Sequence, residues 1–243
     1  MKTWRVVPIS EYQKLDVREE DLLNEGHFRK CETYRGGGGY DRFPAICERR
    51  LGIRAHEQFI VQLYGCNLDC PYCYVTRSGV HGAYIEYSTD ALMMAFLESG
   101  QQVFHLMGGA PALYLDMWPD LLDQLSKQYV FHSDFLLSEN VYKPSVLRRI
   151  AHHSNTLFAL NIKGVNDIDY VRNTRKQPKH DLMIRNLDAL VDAGVNFYIT
   201  FTNPDQSNYE SYCTSLDLRY PGILNDSFVI PLIEYNATPY VDK

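Results

Sequence analysis

The sequence predicts an α/β protein, a partial (β/α)6 TIM-like barrel with an N-terminal extension. Three observations lead there. From residue 57 onward, short apolar runs alternate with longer segments of helical period. Six such runs can be placed, and strands alternating with helices make parallel sheets with right-handed crossovers. Six units are too few for a closed eight-stranded barrel. Polar and glycine-rich residues also recur where the runs end, and parallel barrels keep their chemistry at the carboxyl ends of the strands.

The 243 residues suit one sizeable domain with an ample core, read as an extension over 1–55 and a barrel over 56–243. In the extension, Ser10 to Glu25 is a modest helix candidate, and Gly36 to Gly39 is a flexible loop with no P-loop lysine after it. In the barrel, Gln58–Tyr64 reads as the first strand. Thr89 caps a helix through Glu98, which Gly100 closes. Val103–Met107 is the second strand, followed by a helix with Trp118, Leu121, Leu122 and Leu125 on one face. Phe135–Leu137 is the third strand and Pro144–His153 a helix with proline at its start. Leu157–Ile162 is the fourth strand, and Asp181–Ala193 a helix that Gly194 ends. Phe197–Thr202, a weaker helix over Asn208–Leu218, and Phe228–Ile233 complete the set.

Composition excludes little. Hydrophobic residues make up 45% and charged ones 22%, ordinary for a globular domain. A net charge of −6 lowers the odds of a nucleic-acid partner. The start lacks a signal-peptide core, and no apolar run is long enough to span a membrane. With free thiols in addition, a reducing, cytoplasmic location is expected.

The densest signal is 63-LYGCNLDCPYCYV-75, where Cys66, Cys70 and Cys73 are spaced C-x3-C-x2-C at the end of an apolar run. Three thiolates on one short loop can each bind an iron of a [4Fe–4S] cube. No fourth cysteine follows nearby, so the fourth iron is left for a ligand that is not protein. A zinc site would favour a second C-x2-C pair or added histidines. Cys31, Cys47 and Cys213 are scattered and read as ordinary thiols.

The spacing, with Tyr72 just before the third cysteine, resembles the signature of the radical S-adenosylmethionine (SAM) superfamily. The resemblance implies a partial barrel, a [4Fe–4S] cluster and SAM chelated to the open iron. It further implies an electron donor, flavodoxin or ferredoxin, and cleavage of SAM to a 5′-deoxyadenosyl radical. The segment 107-MGGAP-111 resembles the family's GGEP motif, which places Gly108, Gly109, Ala110 and Pro111 at the SAM amino group. Ala110 stands where an acidic residue is usual. In 138-SEN-140, Ser138, Glu139 and Asn140 can meet ribose hydroxyls or the SAM ammonium. Lys163, emerging from an apolar run, needs an anionic partner, and the SAM carboxylate is a candidate. Thr200 and Thr202 are candidates for ribose or adenine contacts. His105, inside the second strand, is expected to be a buried histidine with one hydrogen-bond partner.

The segment 160-LNIKG-164 resembles the D-I-K stretch of glycyl-radical-enzyme activating enzymes, with Asn161 in place of aspartate. The segment 229-VIPLIEY-235 shares only the central proline of their L-P-Y-H, with Ile233 or Glu234 where they have histidine. The chain therefore looks like a divergent relative of the short activating enzymes. A wide barrel mouth suits a protein or peptide substrate. A small molecule or nucleoside, and a non-catalytic iron–sulfur protein that only binds SAM, are the alternatives.

Overall fold

A computed structural model describes residues 2–9, 22–32, 42–55, 57–73 and 75–230, with the Cys31 and Glu32 side chains excluded. The glycine run 36–39, residues 10–21 of the extension's helix candidate and the segment 231–235 lie outside the described residues. The strands are β1 (Trp4–Val6), β2 (Leu22–Leu23), β3 (Phe28–Glu32), β4 (Glu57–Gln62), β5 (Ile85–Tyr87), β6 (Val103–Met107), β7 (Val130–Phe135), β8 (Thr156–Ile162), β9 (Phe197–Thr202) and β10 (Phe228–Ile230). The helices are α1 (Arg42–Leu51), α2 (Arg77–His81), α3 (Thr89–Ser99), α4 (Trp118–Leu122), α5 (Pro144–Ala151), α6 (Asp167–Thr174), α7 (His180–Asp192) and α8 (Gln206–Arg219).

One sheet runs in the order β10-β9-β8-β7-β6-β4-β3-β2. The six strands from β10 to β4 are parallel, whereas β3 and β2 add to β4 antiparallel. Among the described residues the sheet does not close, which makes it the open form of a (β/α)6 barrel. A separate two-stranded sheet pairs β1 with β5, and Val6 bridges to Leu63.

Side chains alternate across each parallel strand with period two. On the outer face Phe59, Val61, Phe104, Leu106, Phe131, Phe135, Phe158, Leu160, Ile199 and Phe201 join one core with the helices. Leu92 and Phe96 of α3, Trp118 and Leu121 of α4, Leu147 and Ile150 of α5, and Leu187 and Leu190 of α7 cover them. Trp118 stacks on Phe158 at 5.4 Å between ring centroids, and Phe135 meets Phe158 at 5.0 Å. These contacts are why the predicted apolar face Trp118, Leu121, Leu122 and Leu125 is buried.

The inner face starts apolar. Val103, Val130 and Leu157, each at or near the first residue of its strand, pack with Phe43, Ile46 and Cys47 of α1. That helix plugs the amino end of the half-barrel. Arg50 fastens it, donating to the Phe197 and Asn225 carbonyl oxygens and to Asp226 Oδ2 at 2.6 Å.

Several expectations need correcting. The third strand is Val130–Phe135, not 135–137, because its inward residues His132 and Asp134 break the apolar run that was sought. Ser88, not Thr89, caps α3 through its side-chain oxygen on the Ala91 N–H. Residues 22–26 form a strand and a 3-10 turn where the helix candidate extended. The fifth helix stops at Ala151. Helices α1, α2 and α6 were not anticipated. Gly100 and Gly194 do end their helices with positive φ, 68° and 70°.

Candidate active site

The loop after β4 carries the three cysteines, and its shape is set by contacts to neighbouring strand ends. Gly65 accepts from the Ala110 N–H at 2.7 Å, and Leu63 donates to the Met107 carbonyl at 3.0 Å. Asn67 Nδ2 donates to the Ser138 carbonyl at 2.8 Å, and the Asp69 N–H to the Thr174 carbonyl at 3.0 Å. The Cys73 N–H closes a turn onto the Cys70 carbonyl at 3.0 Å. The loop is thereby tied to β6, to the end of β7 and to α6.

Cys66, Cys70 and Cys73 open on one cavity at the carboxyl ends of the parallel strands. Tyr72, Gly108, Gly109, Pro111, Lys163 and Thr200 line the same cavity. Burial pushes the Cys66 thiol up to about 12. The Cys70 thiol is also raised by burial, against the opposing pull of Lys163. Thiols held up in this way are poor nucleophiles, and it takes a metal to deprotonate them. Among the described residues no group of His, Cys, Asp or Glu converges on a single-ion site. A cube differs, since each thiolate meets its own iron.

Gly108 and Gly109 have φ of 69° and 52°. A Cβ on Gly109 would fall 2.3 Å from the Gly65 carbonyl oxygen, and one on Gly108 would strike the Gln62 side chain. The glycines are needed because this turn lies directly against the cysteine loop. Ala110 is wholly buried, packed with Leu68 and Leu136, so there is no room for the acidic residue of the familiar motif.

Lys163 leaves the end of β8 with Nζ 5.6 Å from the Tyr72 ring centroid and 3.3 Å from Thr202 Oγ1. Asn173 fixes its backbone, donating Nδ2 to the Lys163 and Thr202 carbonyls at 2.8 and 3.0 Å. Thr202 therefore supports the lysine and does not line the cavity. Ser138 accepts from the Tyr170 hydroxyl at 2.8 Å, besides holding Asn67 through its carbonyl. Asn140 is exposed, and its carbonyl accepts from Asn186.

Glu139 is buried and does not line the cavity, and its backbone N–H donates to the carbonyl oxygen of Leu136, which does. The Tyr142 hydroxyl donates to Glu139 Oε2 at 3.2 Å, and Oε1 has no partner among the described residues. Burial holds this carboxyl well above the usual range, and it lies close enough to Cys66 to raise that thiol.

Residues absent from the sequence reading also line the cavity: Phe43, Gln58, His132 and Asp134. His105, expected to be buried with one partner, joins them, with Nδ1 2.5 Å from Gln58 Oε1. The signal for this set was available in the polar residues that punctuate the inner positions of β4, β6 and β7.

The Radical SAM superfamily profile matches residues 60–216. The chain belongs to the radical SAM superfamily. Its cofactors are accordingly a [4Fe–4S] cluster and SAM. The structure of anSMEcpe with bound AdoMet superposes with a TM-score of 0.52 at 17% identity, covering 69% of this chain and 49% of that one. Streptococcus suis SuiB bound to S-adenosylmethionine gives 0.52 at 15% identity, covering 79% and 44%. The chain thus spans about half or less of the length of these structures, and they establish the shared fold. No curated protein matches the chain. Among the described residues no helix is long and apolar enough to cross a membrane.

The donor set fits the cluster: three soft sulfur ligands on one loop open on one cavity, with a cation, Lys163, beside Cys70. The Lys163 cation on the cavity wall fits the carboxylate of an amino acid, whereas Glu139 is not among the residues that line the cavity.

Proposed function

We propose that this chain is a radical SAM enzyme that removes a hydrogen atom from a protein or peptide substrate, in the manner of a divergent, short activating-enzyme-like member. The observation that carries the reading is the single cavity shared by Cys66, Cys70, Cys73, Gly108, Gly109 and Lys163. When bound, the cluster and SAM supply an electron and a 5′-deoxyadenosyl radical.

The chain supplies position and exclusion. Cys66, Cys70 and Cys73 hold three irons. The Gly108–Pro111 backbone, including Ala110, would face the SAM amino end, and Glu139, which stands outside the cavity lining, would have to turn its unpartnered oxygen toward the ammonium. Ser138 and Asn140 set the loop that carries Glu139. Lys163, steadied by Thr202, neutralises the SAM carboxylate, while Tyr72 and Thr200 flank the adenosyl part. Flavodoxin or ferredoxin delivers the electron, in a cytoplasmic setting. The open sheet leaves the carboxyl end accessible to a polypeptide, and α1 seals the opposite end against water. The polar inner wall, closed below by α1, favours a second reading in which a small molecule or nucleoside enters instead. Residues 1–55 form an extension to the barrel at 56–243, and its strand β3 pairs with the strand that leads into the cysteine loop.

The test is anaerobic reconstitution with iron and sulfide, followed by dithionite and SAM, with 5′-deoxyadenosine read by mass spectrometry. Production of 5′-deoxyadenosine is expected, and deuterated cell extract should transfer deuterium from its macromolecular fraction. Deuterium arriving from the small-molecule fraction would replace the peptide substrate by the second reading. No product, with the cluster verified and extract present, would leave a protein that binds SAM without cleaving it.

A further inference from the structure

Below the cysteine rim, the inner wall is lined by polar residues that cluster binding does not use. His105 Nδ1 is 2.5 Å from Gln58 Oε1, and His132 Nδ1 is 2.6 Å from the Leu157 carbonyl oxygen. Both partners are acceptors, so each Nδ1 carries the proton and each Nε2 presents a lone pair. Burial lowers both imidazoles from their ordinary value, which keeps them neutral; for His105 the neighbouring His132 and Arg29 add to the effect. The two rings pack at 4.4 Å between centroids.

Asp134 stands beside them. Its Oδ1 accepts from Asn161 Nδ2 at 2.9 Å, and Asn161 Oδ1 in turn accepts from Thr200 at 2.5 Å. Its Oδ2 lies 4.0 Å from His105 Nε2, too far for a hydrogen bond, and Nε2 is buried without a partner among the described residues. Arg29, the neighbouring cation, donates to Met107 Sδ at 3.8 Å and makes no ion pair with Asp134 among the described residues. Lys163 is turned to Tyr72 and Thr202 at the rim.

Two acceptors, Asp134 Oδ2 and His105 Nε2, thus confront each other across a 4.0 Å gap, with the His132 ring packed beside His105 on the same cavity wall. A buried acceptor left unpaired is costly, so what fills the gap must donate. An ammonium group has three donors and no acceptor, and a guanidinium has five. We infer that Asp134, His105 and His132 form a substrate subsite for a cationic amine or guanidinium, such as a lysine or arginine side chain, held below the SAM position. The inference rests on the proposed radical SAM reading for its role, and it sharpens the substrate class. The cavity would then be polarised, with the Lys163 cation at the rim and the Asp134 carboxylate in the wall. A cationic side chain entering from the carboxyl end would be oriented along it.

Saturation-transfer NMR on the anaerobically reconstituted protein tests the subsite with n-butylammonium and n-propylguanidinium, against n-butanol and butyrate. One cation at least is expected to bind about tenfold more tightly than butanol, the scale of a charge-assisted hydrogen bond. Asp134→Asn should remove that preference. Asp134→Ser serves as the second variant, with iron content and circular dichroism reporting the fold of each. Equal binding of butanol, no binding of either cation, or a preference that survives in a folded Asp134 variant would overturn the subsite. Production of 5′-deoxyadenosine is measured in parallel on the same preparation. Its absence with cation binding intact would count against the reaction class and not against the subsite.

Discussion

Phe131 and His132 are neighbours in β7, yet they meet unlike surroundings. Phe131 packs among Phe104, Trp118 and Phe158 on the outer face, within a continuous apolar core. His132 faces inward, its ring 4.3 Å from Phe43 and 4.4 Å from His105, against the cavity that the cysteines share. The same alternation holds from β4 to β9. Strands buried on both faces usually read as unbroken apolar runs. Here the outer face keeps that rule while the middle of the inner face departs from it. The outer face therefore determines that the sheet forms, and the inner face determines what the sheet can hold.

The contrast is broken most severely at the rim. Cys70→Ala should reduce bound iron to background and abolish 5′-deoxyadenosine production. Urea denaturation of the metal-free protein should move by only about 1 kcal/mol, as for a modest truncation. Retained SAM cleavage in that variant would sink the ligand assignment.

An outer-face change should do the reverse. Phe158→Ala removes a ring stacked on Trp118 and packed against Phe131 and Phe135, at a cost of about 3–5 kcal/mol in denaturant unfolding. Iron bound per folded molecule should stay at the wild-type level. A variant that keeps its stability but loses cluster would show that the faces are not separable in this way.

The smallest effect concerns Glu139. Its folded pKa is raised by burial above its unfolded value of about 4.3, so the folded state binds the extra proton. That contribution to stability is full below the unfolded pKa and declines as pH rises toward the folded value. In the metal-free protein, the urea midpoint of Glu139→Gln should fall less between acid and neutral pH than the wild type. Identical slopes would mean that the carboxyl is ionised in the fold.

Much of the architecture was legible because apolar runs report the outer face. Val103–Met107 and Phe197–Thr202 were read with the bounds they have in the fold. Strand β7 was misplaced for the complementary reason: His132 and Asp134 occupy inner positions where an apolar residue was sought. The cysteine loop was legible from spacing alone, and so was the glycine turn, though its need for glycine comes from the Gly65 backbone. Helix α1 carried a signal that went unused, with Pro44 in its first turn and buried Phe43, Ile46 and Cys47 at helical spacing. What could not be read locally was the pairing of distant residues. Asn161 looked like a departure from an aspartate; in the fold it links Asp134 to Thr200. Glu139 looked like a loop carboxylate and is buried beside Tyr142.

The most direct measurement is electron paramagnetic resonance of the reconstituted, dithionite-reduced protein, recorded with and without SAM. A reduced [4Fe–4S] signal whose g-values change when SAM is added is the predicted result, because only a cluster with a three-cysteine set has an iron open to it. A cubane signal that SAM leaves unchanged would contradict the account.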